Sequence, residues 1–295
     1  MEQPHNQLTV GVVVPVYNDW NNLQKCLAAL ANLKYPKELL KIRVVDNGSN
    51  DWPNEVDLPS NIEVFKYKIP GSYGARNRAA KKWDVDVLAF TDSDCAPEKS
   101  WADEGIKKIA GSKKKIIVAG KIIIKSKKKT ATLGEQYDQI LGFDQERTVR
   151  RSHYGATANL FVPASIFEQL GGFNEETKSG GDREFCERAN QEGISIGYAS
   201  NAIVLHPARD FKELARKQKR IIGGKIILNK HKQYGSLRAL LASLRPIFFE
   251  TLRIMGAKEI LLFKRLALVL IALTIRLIVI AEWIRIYVLG GQPLR

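Results

Sequence analysis

Short apolar segments alternate with helical patterns in the N-terminal third of the chain, and this alternation constrains the fold more than any other feature. The run LTVGVVVPVYN, from residue 8, is nearly continuous in apolar residues and stops at a polar turn, as is typical of a strand buried on both faces. Strands are predicted to begin near residues 8, 41, 62 and 85, and helices to occupy 19–33 and 71–83. Strands that alternate with helices imply an α/β fold, with a mixed, mainly parallel sheet covered by helices.

Polar side chains follow the ends of three of these predicted strands. They are Tyr17 and Asn18, the run from Asp46 to Asp51, and Asp92 and Asp94 of the stretch TDSDC. The carboxyl ends of strands form the ligand-binding edge of an open α/β sheet, so these side chains should converge on one cleft. A lone DxD pattern is common in loops. Several converging carboxylates repel one another unless a cation lies between them, and they suit Mg²⁺ or Mn²⁺ bound with a substrate diphosphate.

Charge and cysteine content narrow the functional classes. The 295 residues include 46 Lys and Arg against 31 Asp and Glu. The formal net charge of +15 indicates an anionic partner, which could be nucleic acid, a phosphorylated substrate or an acidic membrane surface. The three cysteines lie far apart without CxxC spacing, so we expect reduced buried thiols and neither a zinc site nor a disulfide framework. The polar start MEQPHNQLTV lacks a secretory signal pattern, and we expect the catalytic part to face the cytosol.

Five sequence blocks, in order, resemble the family 2 glycosyltransferases of the GT-A fold over roughly residues 8–210. Any one block is a weak match, whereas the ordered set is specific. The blocks are VVVPVYN (12–18), VVDNGSND (44–51), GSYGARNRAAK (71–81), TDSDC (91–95), and TANLFVPASIFEQLGGFNE (157–175) followed by SGGDREFCERA (179–189). The resemblance implies a Rossmann-like GT-A domain that binds a nucleotide-sugar donor.

The resemblance assigns the donor nucleotide to the first four blocks. It implies that Asp46 accepts hydrogen bonds from the base, while the backbone from Pro15 to Tyr17 lines the base and ribose. Arg76 and Asn77 look like the ARN of the family, where a cation and helix N-terminal amides meet phosphates. Two alternatives stay open: Asp46 could instead form an Asx turn with Gly48, and Arg76 could form a surface ion pair.

The metal site is also implied by the resemblance. Asp92 and Asp94 match the family's DxD, in which the first residue contacts the ribose or a metal-bound water and the second ligates Mn²⁺ or Mg²⁺. We therefore place both acids among the residues that hold the metal. His206, in VLHPARD, matches a histidine that often completes this site, although a lone histidine beside a strand is usually structural. The cation would neutralise charge that develops on the departing nucleoside diphosphate.

The acceptor side is implied by the last block. Asp182 matches the base that takes the proton of the acceptor hydroxyl, and the alternative is a simple helix cap. The family commonly has a Glu-Asp pair here, and Gly181 stands at the first position. We place Thr157, Asn159, Gly181 and Glu184 on the acceptor side.

Two further observations concern the reaction type. Processive synthases carry a QxxRW signature after this point, whereas ARKQKRIIGG (215–224) offers Gln218 and Arg220 without the tryptophan, so we expect single-sugar transfer. Arg220 could close over the diphosphate. Phe173 and Tyr154 could stack on a sugar face, and they are equally compatible with the core.

Two segments suggest contact with a membrane. The lysine clusters of GSKKKIIVAGKIIIKSKKKTATLG are typical of a hairpin or a protected sheet edge, and the alternative is a surface for anionic lipid headgroups. The 24 residues from Leu266 to Leu289 could cross a bilayer, which needs about 20. Arg276, Glu282 and Arg285 interrupt them, so an interfacial helix pair is slightly favoured over a span, and a soluble helical hairpin is the alternative.

These observations predict three regions: a GT-A catalytic domain at 1–210, a basic helical extension at 211–262, and an apolar, membrane-associated or membrane-spanning helix at 263–295. The main hypothesis is a metal-dependent, inverting glycosyltransferase at the cytoplasmic face of the plasma membrane. It would move one sugar from a nucleotide diphosphate donor to a lipid-linked or glycan acceptor, and we expect the donor to be a UDP-sugar. A catalytically silent, nucleotide-sugar-binding scaffold is the alternative, motivated by Gly181. Nucleic-acid binding is disfavoured because the basic residues of the tail alternate with Leu and Ile rather than with stacking aromatics.

Overall fold

The computed structural model describes residues 8–50, 61–177, 179–228, 235–244 and 247–293. The chain forms two compact units. The first unit consists of Met1–Ile123, Asp144–Glu176 and Gly181–His206, and the second of Ile124–Phe143, Thr177–Gly180 and Pro207–Arg295. These bounds differ from the three regions expected from the sequence, which divide the chain at residues 210 and 262. That division stays a prediction.

One sheet organises the strands of the described chain. In chain order they are β1 (Val10–Val16), β2 (Leu40–Asp46), β3 (Ile62–Lys66), β4 (Val87–Thr91), β5 (Ala96–Pro97), β6 (Ile116–Lys125), β7 (Asn159–Pro163) and β8 (Ser195–Pro207). Their order across the sheet is β3-β2-β1-β4-β7-β6-β8-β5. The first four strands pair in parallel, whereas β7 pairs antiparallel with both β4 and β6. The predicted mixed α/β sheet is confirmed.

The helices follow in the same chain order. They are α1 (Trp20–Ala31), α2 (Ser72–Ala80), α3 (Trp101–Ala110), α4 (Leu133–Leu141), α5 (Gln145–Ser152), α6 (Ala164–Gln169), α7 (Gly181–Gln191), α8 (Phe211–Leu228), α9 (Gly235–Leu244), α10 (Ile247–Gly256) and α11 (Leu262–Trp283). A 3₁₀ turn at Lys37–Leu39 precedes β2, and a π-helical turn at Ile284–Val288 continues α11.

The parallel strands explain why the polar loops meet. All seven residues of β1 are buried, as are all five of β4, so both strands need apolar side chains on both faces. The register pairs Val16 with Asp46, so β1 and β2 end at the same level. The loops after the two strands are joined by hydrogen bonds, with the Asn18 amide donating to Ser49 Oγ over 2.9 Å. One edge of the sheet therefore carries the strand-end residues.

An aromatic cluster fills the space between the sheet and the α2, α6 and α7 helices. Phe173 is 3% exposed and its ring centroid lies 5.1 Å from that of Phe90 and 4.8 Å from that of Phe185. Tyr73, on α2, packs against the same ring at 5.5 Å. Phe173 is thus a core residue, which is one of the two roles that the sequence left open for it.

The lysine-rich segment forms one long strand rather than a hairpin or a sheet edge. The strand β6 lies between β7 and β8 in the interior of the sheet. Its central residues are buried, while the lysines before and after it are exposed. The edge is instead occupied by the two-residue strand β5, which pairs with β8.

The second unit is a helical assembly in which α11 packs against α4, α8, α9 and α10. Leu268, Ala272 and Ile275 of α11 are fully buried in its core. Arg276 is buried and pairs with Glu250 of α10. Glu282 is also buried, and it accepts a hydrogen bond of 2.6 Å from Arg285. The charges that interrupt the apolar tail are therefore neutralised inside this unit.

The other side of α11 is an exposed apolar stripe. Its members are Leu262, Leu266, Leu270, Leu273, Leu277, Ile284 and Val288. The segment Leu262–Val288 has 27 residues and a mean hydropathy of 2.3, which meets the length and composition of a membrane span. A core helix of a soluble protein meets the same two requirements. The stripe itself is unusual for such a core helix because it faces outward from the unit that packs the opposite side.

Candidate active site

The TDSDC stretch leaves the sheet directly after β4 and turns at the level of the other strand ends. The Cys95 amide donates to the Asp92 carbonyl over 3.1 Å, which closes a tight turn that presents Asp92 and Asp94 in succession. Ser93 Oγ donates to Asp19 Oδ2 over 3.2 Å, so a third carboxylate joins them. Burial, reinforced by the negative charge of Asp94, raises the pKa of Asp19. The loop thus concentrates negative charge, as the sequence predicted.

A short antiparallel pairing places His206 beside this loop. Ala96 of β5 lies opposite Leu205 of β8, so the next residues outward are Cys95 and His206. His206 is 1% exposed, and its Nε2 lies 3.6 Å from Asp94 Oδ2. The ligand atoms of Asp94, Cys95 and His206 all lie within 4.8 Å of one another, close enough to share one ion.

The donor atoms of this cluster fit a divalent cation of the Mn²⁺ or Mg²⁺ type. Burial and the neighbouring Asp92 and Asp94 carboxylates raise the pKa of the Cys95 thiol, so it stays protonated and is a poor ligand at neutral pH. One carboxylate and one imidazole remain, a set compatible with Mn²⁺ that also binds a diphosphate. Among the residues that the structure describes, Asp92 is not in this cluster.

Asp92 instead faces Arg76 of α2. The Arg76 guanidinium donates to Asp92 Oδ1 and is itself 3% exposed, so the pair is not the surface ion pair that the sequence left open. Its Nε atom is buried and has no hydrogen-bond partner among the described residues. A buried cation with a spare donor is the group that a phosphate oxygen would satisfy.

Asp182 lies at the start of α7, close to the same arginine. Its Oδ1 accepts hydrogen bonds from the Arg183 amide at 2.9 Å and from Tyr73 OH at 3.3 Å. Its Oδ2 accepts from the Thr157 amide at 3.4 Å. Burial raises the pKa of Asp182, while these hydrogen bonds and the Arg76 charge partly offset that effect. A half-buried carboxylate with a raised pKa is a suitable proton acceptor near neutral pH.

The residues predicted to bind the nucleobase of the donor lie on β1, on β2 and in the loops that follow them. Pro15 is buried opposite Val45, and Tyr17 is 43% exposed just beyond the end of β1. Asp46 is 4% exposed, and its Oδ1 accepts from the Ser49 amide at 2.9 Å. This contact is a local turn, although its partner is Ser49 and not the Gly48 of the alternative that the sequence left open for Asp46. Asp51 lies outside the described residues, and nucleotide contact by the other three stays a prediction.

Asn77 has a different set of contacts from those predicted. Its Nδ2 donates to the Phe173 carbonyl over 2.8 Å and to Glu175 Oε1 over 3.0 Å. Its Oδ1 accepts from the Phe173 amide over 2.9 Å. Both amide hydrogens are used, so Asn77 holds the loop after α6 and offers no donor to a nucleotide.

Asn159 and Glu184 are likewise bound within the protein. Asn159 is fully buried, accepts from Trp101 Nε1 at 2.8 Å and donates to two backbone carbonyls. Glu184 pairs with Arg188 at 2.6 Å, and Arg188 also donates to the carbonyls of Leu170 and Gly172. These internal contacts occupy the polar atoms of both side chains, and their assignment to the acceptor side stays a prediction. The structure explains both as scaffold of the site.

The remaining predicted residues have varied positions. Gly181 is the first residue of α7, and the Thr157 backbone contacts Asp182. Tyr154 is partly buried near Asp182, whose charge, after burial, contributes to raising the pKa of this tyrosine. Gln218 and Arg220 lie on α8 in the second unit, and the closure of Arg220 over a diphosphate stays a prediction.

Sequence reasoning missed Tyr73 as a hydrogen-bond partner of Asp182. It sits in GSYGARN, three residues before Arg76, so both side chains lie on one face of α2. The Arg76 guanidinium carbon lies 5.6 Å from the centre of the Tyr73 ring. The helical spacing of an aromatic residue and an arginine was the available indication.

The comparison with protein families agrees with this geometry. The pattern described as "Glycosyl transferase family 2" matches residues 11–170, more than half of the chain. The chain belongs to this family. It is 34% identical over 223 residues to "Glycosyltransferase AglE" of Haloferax volcanii, covering 74% of this chain and 73% of that protein.

Solved structures share the fold. The mannosyltransferase PcManGT from Pyrobaculum calidifontis, in complex with GDP-Man and Mn²⁺, aligns with a TM-score of 0.61 at 15% identity, covering 96% of this chain and 88% of that one. GalNAc-T7 with UDP, GalNAc and Mn²⁺ aligns with a TM-score of 0.53 at 18% identity, covering 68% and 43%. The predicted GT-A fold and family are confirmed, and this glycosyltransferase transfers a sugar from a nucleotide donor.

Proposed function

We propose that this glycosyltransferase is membrane-associated, uses Mn²⁺ or Mg²⁺, and moves a single sugar with inversion from a nucleotide diphosphate sugar to a lipid-linked or glycan acceptor. A UDP-sugar is the proposed donor, and Asp182 is the proposed base. The cytoplasmic face of the plasma membrane is the proposed location.

One observation supports the site assignment above the others: buried Arg76 links the two acidic elements. It is paired with Asp92 of the DxD, and its charge also acts on Asp182. The donor side and the proposed catalytic base thus belong to one group of neighbouring side chains. A base must lie within reach of the acceptor hydroxyl while the donor's anomeric carbon lies on the other side of that hydroxyl.

Each residue has a proposed task. Asp182 takes the proton of the acceptor hydroxyl. At the same time the hydroxyl oxygen bonds to the anomeric carbon of the donor sugar, and the nucleoside diphosphate leaves with the electrons of the broken bond. Arg76 offers its spare Nε–H to the diphosphate. Asp94 and His206 would hold the divalent cation, which offsets negative charge on the leaving group.

The relatives support the cofactor but leave the nucleotide open. The two solved structures contain Mn²⁺, one with a GDP-sugar and one with UDP. The preference for UDP therefore needs a direct measurement.

The tail supports membrane association. The exposed stripe of α11 is apolar over its whole length, and its neighbouring charges are paired inside the second unit. A helix with one apolar outer face and no exposed charge on that face suits the boundary of a bilayer. The excess of Lys and Arg suits the anionic cytoplasmic leaflet.

Calorimetry of the full chain with UDP, GDP and dTDP, with and without Mn²⁺, tests the donor side. We expect metal-dependent binding of one nucleotide and its loss in Asp94→Ala. Asp84→Asn, an exposed acid of the same unit, is the matched control and should bind normally. Equal binding with and without metal would contradict the proposed cation site.

Turnover of the bound donor separates the enzyme from a silent scaffold. Asp182→Asn should retain nucleotide affinity and lose about 10²- to 10⁴-fold in kcat, the usual contribution of a general base. Unchanged turnover in Asp182→Asn would refute the base assignment. Donor binding without transfer or hydrolysis in the wild type would favour the silent scaffold.

A further inference from the structure

A groove within the second unit is separate from the catalytic constellation. It has a volume of about 820 Å³ and is formed by α4, the end of α10, the loop 257–261 and the start of α11. Gln136 and Gln139 line one side, and Arg253 and Lys264 line the other. All of these residues belong to the same unit. The volume lies in the range of sites for small organic ligands.

The groove is positively charged. Arg253 and Lys264 line it together with one acid, Glu259. The segment 253–265 also contains Lys258 and Arg265, which gives four cations against one carboxylate. The glutamine side chains add amide donors suited to phosphate oxygens or hydroxyls.

The wall of the groove is held in place by Arg265. Its guanidinium donates to the carbonyl of Ile260 at 2.6 Å and to that of Met255 at 2.9 Å. These bonds tie the loop 257–261 to the end of α10. Backbone bonds from Ala257 to Ile254 and from Ile260 to Ala257 tighten the loop further. A preorganised wall reduces the entropy lost when a ligand binds.

Exposed apolar side chains adjoin the polar groove. Leu261 lines it and is 61% exposed, and Leu262 and Phe263 follow at 57% and 66%. Leu266 continues the exposed stripe of α11 one turn further along. A cationic groove that opens beside an apolar stripe matches a molecule with an anionic head and a hydrocarbon chain.

We propose that this groove binds the phosphate headgroup of an anionic bilayer lipid, with the lipid chain lying along the start of the α11 stripe. Arg253 and Lys264 would contact the phosphate, and Leu262, Phe263 and Leu266 would contact the chain. This inference rests on the proposed membrane association and specifies which lipid chemistry the protein selects. It would fix the tail at the surface of an acidic membrane.

Flotation of the full chain with vesicles tests the proposal. Vesicles of phosphatidylcholine alone are compared with vesicles that also contain phosphatidylglycerol. Arg253→Gln/Lys264→Gln should weaken binding to the anionic vesicles by roughly 30-fold, from about 1 kcal/mol per basic residue. The matched control Lys34→Gln/Lys37→Gln removes two exposed lysines of the first unit that lie outside the lysine-rich segment, and it should leave the affinity unchanged.

A second variant is expected to bind anionic vesicles more tightly than the wild type, so that the test does not depend on loss of binding alone. Glu259→Gln removes the acid of the groove and should strengthen binding to the anionic vesicles by roughly fivefold, from the same charge contribution. A melting temperature equal to that of the wild type would show that this gain does not come from unfolding. Phe263→Ser/Leu266→Ser should weaken binding to both kinds of vesicle, and melting temperatures should match the wild type.

Three results would overturn the proposal. The first is an equal loss of affinity for anionic vesicles in the groove variant and in the lysine control, and the second is an unchanged affinity in the groove variant. The third is full displacement of the protein from the vesicles by millimolar inorganic phosphate, which would indicate a site for free phosphate. The rate at which the protein turns over the nucleotide-sugar donor is measured in detergent in the same experiments. Wild-type turnover without binding to any vesicle would refute membrane association while leaving the glycosyltransferase function intact.

Discussion

Removal of one hydroxyl group should shift the pH dependence of catalysis. Tyr73 OH donates to Asp182 Oδ1 over 3.3 Å, and this bond stabilises the ionised carboxylate. In Tyr73→Phe the bond is lost, so the pKa of Asp182, already raised by burial, should rise further. Because a general base works only when ionised, the acidic limb of the kcat/KM profile should move to higher pH.

The magnitude follows from the geometry. A hydrogen bond to a charged group contributes about 1.5–3 kcal/mol, and the long distance here places the bond near 1 kcal/mol. That free energy corresponds to about a fivefold lower fraction of ionised base at any pH on the acidic limb. Above the limb both enzymes have the base fully ionised, so their kcat/KM values should agree there.

The other groups that face Asp182 stay in place in this variant. They are the amides of Arg183 and Thr157, the Arg76 guanidinium, and the Tyr154 ring. Each acts equally in both proteins, so the difference between the two profiles isolates the Tyr73 hydroxyl.

Tyr67→Phe is the matched control. Tyr67 OH donates to Glu175 Oε2 over 3.2 Å, a bond of similar length that does not involve Asp182. Its pH profile should coincide with that of the wild type. The reasoning is refuted if the Tyr73→Phe profile coincides with the wild-type profile, if it moves to lower pH, or if Tyr67→Phe moves equally.

Two predictions concern stability in urea unfolding. Asn159→Ala removes the acceptor of the buried Trp101 N–H and the donor to two buried-strand carbonyls, and it should lower the free energy of unfolding by about 3–5 kcal/mol. Asn190→Ala, at an exposed position with one bond to a carbonyl, should cost less than about 1 kcal/mol. Arg276→Met strands the Glu250 carboxylate and should cost about 3–5 kcal/mol, whereas adding Glu250→Gln should restore most of that loss. Strictly additive single and double variants would show that the two residues are not coupled.

Local patterns predicted the parallel half of the sheet but not the rest. Residues of β1 and β4 are apolar on both faces, so their burial could be recognised without knowledge of their neighbours. The interior position of β6 depends on pairing with β7, whose residues lie more than thirty positions further along the chain. Its flanking lysines resemble those of an edge strand, which is why the edge was predicted. The two-residue strand β5 is too short to give a periodic pattern.

The same distinction applies to the site. The acids after the strands were predicted because a strand end is a property of the local sequence. The roles of Asn77, Asn159 and Glu184 depend on which distant groups meet their side chains, and each is bound by the scaffold. A residue inside a recognised block can therefore serve the site indirectly, by holding a loop or a strand that carries the reacting group.

In the C-terminal helix, an ion pair changes the energetic cost of a charged residue. Taken alone, Arg276 at the centre of an apolar helix costs about 2.5–3.5 kcal/mol on insertion scales, which argued against a span. In the structure the arginine is buried and paired with Glu250, 26 positions earlier and on a neighbouring helix. The penalty for an isolated charge therefore does not apply to this face of α11. What a membrane would meet is the opposite stripe, and that stripe is apolar from Leu262 to Val288.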